Sequence, residues 1–255
     1  YFKAHDLYVQ TGDSAVIANI EANISSAYFL MGNYKKALKY IHGPIDFYKR
    51  NNEYYLLANS TLNLGSIELA LKDTTNAMNS FETAIHYSNM SNNASTMAAS
   101  YNNLSNVFMA RKEFEKAVKT IEKGIEIRQK MGLDADLESS RLTLANAKLA
   151  MGDYPAAKRF FYQVKASFEQ IVAKDKLKEI YLGLSFIYAA EKNRDSLNYY
   201  TTRYSETLQN IYNEELLKRS QEIEAKYQTE RKELELTKAK NKNLIHESEI
   251  RQKNS

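Results

Sequence analysis

Every fortieth residue of this chain repeats a chemical type, and that spacing restricts the folds open to it more than any single motif does. Ala37, Ala77, Ala117 and Ala157 fall in one column, and Ile41, Phe81, Ile121 and Phe161 fall in another. A third column holds Ile24, Leu64, Leu104, Leu144 and Leu184, each followed by a small residue: Ser25, Gly65, Ser105, Ala145 and Ser185. Small residues at fixed spacing let two helices approach closely, and the large apolar neighbour fills the adjoining groove. Such a unit cannot bury its apolar face alone, so it must stack on copies of itself. The expected fold is an all-α helical solenoid, with function on its surface.

Each unit reads as two helices, A and B. Apolar residues of A recur at helical spacing, as in Leu57, Leu62, Leu64, Ile67, Leu69 and Leu71. Short polar turns follow at Gly32-Asn33, Lys72-Asp73, Lys112-Glu113, Gly152-Asp153 and Lys192-Asn193. Helix B then ends near Gly12, Asn52, Asn92 and Gly132, residue types that tolerate a left-handed C-cap. Asp13, Asn93 and Asp134 lie where the N-cap of the next A helix belongs. Pro155 suits the first turn of a B helix, whereas Gly43-Pro44 is expected to kink or shorten one. Tyr1 and Ala4 share columns with later B helices, so residues 1–12 read as the end of a preceding repeat. Residues 13–212 then hold about five units, the fifth degenerate, with Leu197, Thr201 and Tyr204 in place of the column residues.

Residues 213–255 change character. Charges of both signs alternate, glycine and proline are absent, and the apolar positions thin to Leu216, Ile223, Tyr227, Leu234 and Leu244. This pattern fits either a solvated helix whose first part caps the solenoid or a weak parallel coiled coil that transmits a signal. It leaves open whether the preceding B helix runs straight into this segment or breaks near Asn210–Asn213.

The bulk numbers exclude several functions. Thirty-five basic and 31 acidic residues are mixed along the chain, for a net charge of +4, so no basic stripe of the kind nucleic acid demands is present. With no cysteine there are no disulfides or thiol nucleophiles. His5, His42, His86 and His246 form no zinc-binding pair at helical spacing, and no glycine-rich loop follows a strand. The expectation is a non-enzyme without metal or cofactor. No run of about 18 apolar residues occurs, so this stretch itself is not expected to span a membrane.

The columns resemble the tetratricopeptide repeat. That pattern wants Leu then Gly or Ser in helix A, an aromatic near the turn, then Ala, an aromatic or aliphatic, and Ala in helix B. Leu64, Gly65, Ala77, Phe81 and Ala84 match it, as do the turns Met31-Gly32-Asn33-Tyr34 and Met151-Gly152-Asp153-Tyr154. The resemblance covers residues 1–205 and implies a right-handed superhelix whose A helices line a concave face. The period departs from the family's 34 residues, so helices or connectors must be longer, and the proline that usually ends a repeat is missing. The run Glu224-Ala225-Lys226-Tyr227-Gln228-Thr229-Glu230-Arg231-Lys232-Glu233 resembles the segment joining repeat arrays to a membrane helix in bacterial histidine kinases and helix-turn-helix regulators. It implies an extracytoplasmic, periplasmic sensor region with a membrane anchor outside this chain; a cytoplasmic location is the alternative.

On the A-helix face implied by the resemblance, Asn19, Asn23, Asn59, Asn63, Asn103, Asn106 and Asn146 recur with Ser26 and Ser66 at spacings of three or four. Asparagine carries a donor and an acceptor and can pair with both halves of a peptide unit. The same residues can instead join neighbouring helices. Ala99 and Asn103 stand where a carboxylate clamp needs Lys and Arg, so an acidic C-terminal motif is disfavoured. Tyr28, Tyr34, Tyr101, Tyr154 and Tyr188 fall on core-type columns, while Tyr199, Tyr200 and Tyr204 are candidates for an exposed patch. The expected partner is a peptide or protein on the concave face, with the C-terminal helix as a candidate surface for homodimerisation; a passive scaffold is the other reading.

Overall fold

In the computed structural model, which describes residues 12–132 and 134–253, the chain forms α1 (Ser14–Leu30), α2 (Tyr34–Arg50), α3 (Tyr54–Ala70), α4 (Thr74–Met90), α5 (Ala94–Ala110), α6 (Phe114–Met131), α7 (Asp134–Ala150), α8 (Tyr154–Gln170), α9 (Lys174–Ala190) and α10 (Arg194–Lys253). Odd-numbered helices are the A helices and even-numbered ones the B helices. Of the preceding-repeat segment expected over residues 1–12, all but Gly12 lies outside the described residues. The helices α1 to α5 and α7 to α9 are each 17 residues long, and α6 has 18. Two such helices with two three-residue turns account for the forty-residue period, so the excess over the family's spacing lies in longer helices.

The turns obey a finer rule than the columns. Gly12, Gly32, Asn52, Lys72, Asn92, Lys112, Gly132, Gly152, Val172 and Lys192, one every twenty residues, all have left-handed backbone with φ between 52° and 80°. Asn33 N–H bonds Tyr28 O at 2.9 Å, and the same six-residue closure recurs from Glu53 to Tyr48, Asp73 to Glu68, Asn93 to Ser88 and Asn193 to Tyr188. This Schellman arrangement satisfies helix-end carbonyls. The residue after the left-handed one then starts the next helix: Asp13, Asn33, Asp73, Asn93, Asp153 and Asn193 each accept a first-turn N–H on the side chain. Asp134, expected as an N-cap, is instead the first residue of α7, and the cap position falls on 133, outside the described residues.

Val172 is the one β-branched residue among these ten. A left-handed conformation costs such a residue about 1–2 kcal/mol, and its side chain, 63% exposed, recovers little by burial. Val172→Asn, which copies Asn52 and Asn92, is therefore expected to stabilise the chain by about 1 kcal/mol. The readout is the urea midpoint; no rise, or a fall, would count against the strained turn.

The column residues form the core. Ala37, Ala77, Ala117, Ala157, Ile41, Phe81, Ile121 and Phe161 are all completely buried, between the A and B helices of one unit and the A helix of the next. Pro44 is buried inside α2, so Gly43-Pro44, expected to kink or shorten the helix, leaves it at the common 17-residue length. Contacts with α1 and α3 hold the helix together through the missing hydrogen bond.

Successive A helices touch: α1 with α3, α3 with α5, α5 with α7 and α7 with α9 all bring Cα atoms within 8 Å. Successive B helices do not approach that closely anywhere among the described residues. Backbones that converge on one side and diverge on the other make a curved array, with the A helices on the inner wall.

The fifth B helix does not break near Asn210–Asn213: α10 runs unbroken for 60 residues. Its first turns pack on α9, and the Lys174–Glu214 ion pair is the last tie to the solenoid among the described residues. Described residues from Tyr212 to 238 are all exposed. Tyr200, expected in an exposed patch, is core instead. Its ring stacks on Tyr188 (5.5 Å between centroids, 4° between planes), and Tyr162 shares hydrogen bonds with Tyr188 (2.7 Å) and Tyr200 (2.9 Å). The missing aromatic at Thr201 is thus supplied one residue earlier, and of the expected patch only Tyr199 is largely exposed.

Candidate functional site

The inner wall is built from short polar side chains on α1, α3, α5 and α7. Asn63 Nδ2–H donates to Ser26 Oγ at 3.4 Å, and Ser26 Oγ–H donates in turn to Ala22 O at 3.0 Å. One unit on, Asn103 Nδ2–H donates to Ser66 Oγ at 3.3 Å, and Ser66 Oγ–H to Leu62 O at 3.0 Å. Each rung therefore ties an A helix to the one before it. Both asparagine Oδ1 atoms accept no hydrogen bond from the described residues, and both residues are half-buried.

A cavity of about 270 Å³ lies at the first rung, lined by Ser26, Phe29, Leu30, Asn63, Ser66 and Ile67. A second, of about 430 Å³, lies at the next rung between Phe29, Ser66, Leu69, Ala70 and Asn103. The two open at equivalent places in successive units. Each combines an asparagine–serine pair with apolar walls.

The other asparagines separate by role. Asn19 Oδ1 accepts from Tyr48 Oη at 2.7 Å, and Asn59 Oδ1 accepts from Asn93 Nδ2 at 3.2 Å and from Thr96 Oγ1, so both spend their carbonyls inside the fold. Asn106 and Asn146 are half-buried on the inner wall, their side chains without a hydrogen bond to the described residues, and Asn23 is exposed. The rung partner of Asn106 is Thr143, whose hydroxyl turns back to Ser139 O at 3.2 Å. At the last junction the column holds Gly183, because a side chain there would overlap the Phe161 ring. The structure thus brings Asn63 and Asn103 together with Ser26 and Ser66, leaves Asn106 and Asn146 as open amides farther along, and assigns Asn19 and Asn59 to joints between helices.

Charge is turned away from this wall. Only two charged residues occur in α1, α3 and α5, Glu21 and Glu68. Glu21 lies against Gly43 of α2, where a Cβ would meet its Oε2 at 2.5 Å. Ser80 Oγ–H of α4 donates to Glu68 Oε2 at 2.6 Å, and burial raises the Glu68 carboxyl above its ordinary pKa. The first three units therefore face inward with amides, hydroxyls and hydrocarbon alone. Among the described residues no group of His, Asp and Glu is placed to hold a metal, and no helix is long and apolar enough to cross a membrane.

The geometry is that of a tetratricopeptide array, and comparison with known proteins gives the same class. Two family models, both described as tetratricopeptide repeat, match residues 58–88 and 97–131. The chain carries tetratricopeptide repeats in an all-helical solenoid. Solved structures share this fold at low identity. The repeat-bearing signal-transduction ATPase (STAND) PH0952 from Pyrococcus horikoshii, described as having a tetratricopeptide repeat sensor, is 15% identical over 77% of this chain and 31% of that one, with a TM-score of 0.67. An array of nearly identical TPR-like repeats from Podosopora anserina is 16% identical over 76% of this chain and 95% of that one, TM-score 0.58. Aspartyl phosphate phosphatase F from Bacillus subtilis is 13% identical over 77% of this chain and 61% of that one, TM-score 0.61. No curated protein matches the sequence.

Proposed function

We propose that the chain binds an extended, uncharged peptide or protein segment along the inner wall of its A helices, as the sensor region of a bacterial signal-transduction or transcription regulator. The observation that carries the binding site is the asparagine–serine ladder: open amide carbonyls beside apolar cavities, repeated one unit apart and free of charge. Such a wall suits a ligand recognised through its backbone. A sensor role fits the fold, since the repeats of the Pyrococcus protein are described in those terms. The resemblance of Glu224–Glu233 to the segment before a membrane helix supports a periplasmic array anchored by a segment outside this chain. A scaffold that pairs two copies is a second reading. It is favoured by Leu216, Ile223, Tyr227 and Leu234, all exposed at coiled-coil spacing on α10.

The test is thermal stabilisation by a pool of uncharged, unstructured peptides with blocked ends. A peptide at about 100 times its dissociation constant adds about 2.7 kcal/mol to stability. Asn63→Ala with Asn103→Ala is expected to abolish that gain while lowering the unliganded stability by only about 1–2 kcal/mol. A gain undiminished in the double variant would remove the inner wall from the function.

A further inference from the structure

The ladder is polarised, and its polarity bears on the conformation of the ligand. Each rung uses an amide N–H of its asparagine on the preceding serine, and that serine uses its own hydroxyl hydrogen on a helix carbonyl. What each rung leaves wholly unused is the Asn63 or Asn103 carbonyl oxygen, an acceptor that calls for an N–H from the ligand. The two acceptors are separated by one step between adjacent A helices. Packed helices lie about 8–10 Å apart.

A β-strand returns a backbone N–H to the same side every two residues, about 6.8 Å along, which falls short of that step. A polyproline II segment returns one every three residues, about 9.3 Å along, which matches it. Polyproline II also has no internal hydrogen bonds, so its N–H groups arrive free to donate. The apolar cavities at the two rungs recur with the same step, so a side chain of every third residue can enter one while its neighbours face solvent.

Resting on the peptide-binding reading above, we infer that the ligand is a polyproline II segment of three-residue period, donating one backbone N–H per repeat unit to Asn63 and Asn103 and placing one small apolar side chain per unit in the adjoining cavity. Asn146, on α7 with its side-chain amide unused, stands on the next A helix beyond Asn103 and offers the track one further step.

The probe is an acetylated, amidated (Leu-Pro-Ala)4 peptide, titrated by calorimetry against the whole chain. Its leucines and alanines both keep backbone N–H groups, and only one of those two series can face the rungs. N-methylation of that series is expected to weaken binding by at least about thirtyfold, and N-methylation of the other by less than about threefold. Asn63→Ala and Asn103→Ala are expected to weaken the unmethylated peptide and to leave the methylated one unchanged. Equal losses in both methylated series, or no loss in either, would overturn the three-residue register. If (Leu-Pro-Ala)4 does not bind but a strand-forming (Thr-Val)6 peptide binds and depends on Asn63 and Asn103, peptide binding stands and the polyproline II inference falls. If no uncharged peptide binds, both fall.

Discussion

Gly65→Ser is expected to destabilise the array by about 2–3 kcal/mol, and a second change, Phe81→Ile, to restore most of that loss. In the first and third units the equivalent positions pair Ser25 with Ile41 and Ser105 with Ile121. The serine hydroxyls donate across to Ala37 O at 2.8 Å and Ala117 O at 2.9 Å. The second unit solves the same contact with Gly65 and Phe81, and a Cβ on Gly65 would lie 2.6 Å from Phe81 Cε1. Serine alone forces the buried ring to move in a close-packed core. Phe81→Ile alone removes buried ring volume beside a glycine and is expected to cost about 1–3 kcal/mol. Together they rebuild the arrangement of the neighbouring units, with the introduced serine hydroxyl reaching the Ala77 carbonyl. Urea melts of the four proteins give the coupling, expected to favour the double variant by at least about 1.5 kcal/mol. Additive losses would mean that the two helices do not read each other through this contact.

Tyr200→Ala is expected to release the base of α10 while leaving the first three units folded. Tyr200 is buried among Tyr162, Tyr181 and Tyr188, with Leu197 and Tyr204 packed on the same cluster. Around it, Tyr181 Oη–H donates to Glu169 Oε1 at 3.0 Å, and Lys158 Nζ sits 4.2 Å from the Tyr188 ring centroid. Burial and the two shared hydrogen bonds raise the pKa of the Tyr162 phenol, which stays neutral and able to bond. Truncating a buried aromatic costs about 3–5 kcal/mol, and in a stacked array that cost falls on the local interfaces. Hydrogen exchange should show protection lost in α9 and the first turns of α10, with α1 to α5 unchanged. Uniform loss along the chain would show the array to unfold as one unit. Tyr200→Phe, which keeps the ring and drops one hydroxyl, should cost about 1 kcal/mol.

Column periodicity makes the fold legible because burial repeats with the helix pair, and the Ala and Ile/Phe columns sit where their spacing places them. The twenty-residue rule of the turns is only half visible in the sequence. Glycine and asparagine announce a left-handed residue, but Lys72, Lys112, Val172 and Lys192 adopt the same backbone without any local preference for it. At those places the packing of two helices imposes the turn. Tyr200 escapes strict column counting, which points to Thr201, and only three-dimensional packing shows a ring filling the same volume from one position earlier. Continuity through Asn210–Asn213 is undecidable from sequence because asparagine is a poor helix former but not a breaker. Within the inner wall, residue types identify the asparagine rows, but they do not separate Asn63 and Asn103 from Asn59. That division depends on partners supplied by other helices, Ser26 and Ser66 in one case and Thr96 with Asn93 in the other.

Because Glu21 and Glu68 are drawn off toward the outer helices, the uncharged segment proposed above would meet no charged side chain on the A helices of the first three units. Its encounter with the wall would then proceed without electrostatic guidance, at the roughly 10⁵–10⁶ M⁻¹s⁻¹ of unassisted docking, and would be almost indifferent to ionic strength. For the peptide proposed above, discrimination between one segment and another would lie in residence time, set by how many rungs each engages before it leaves.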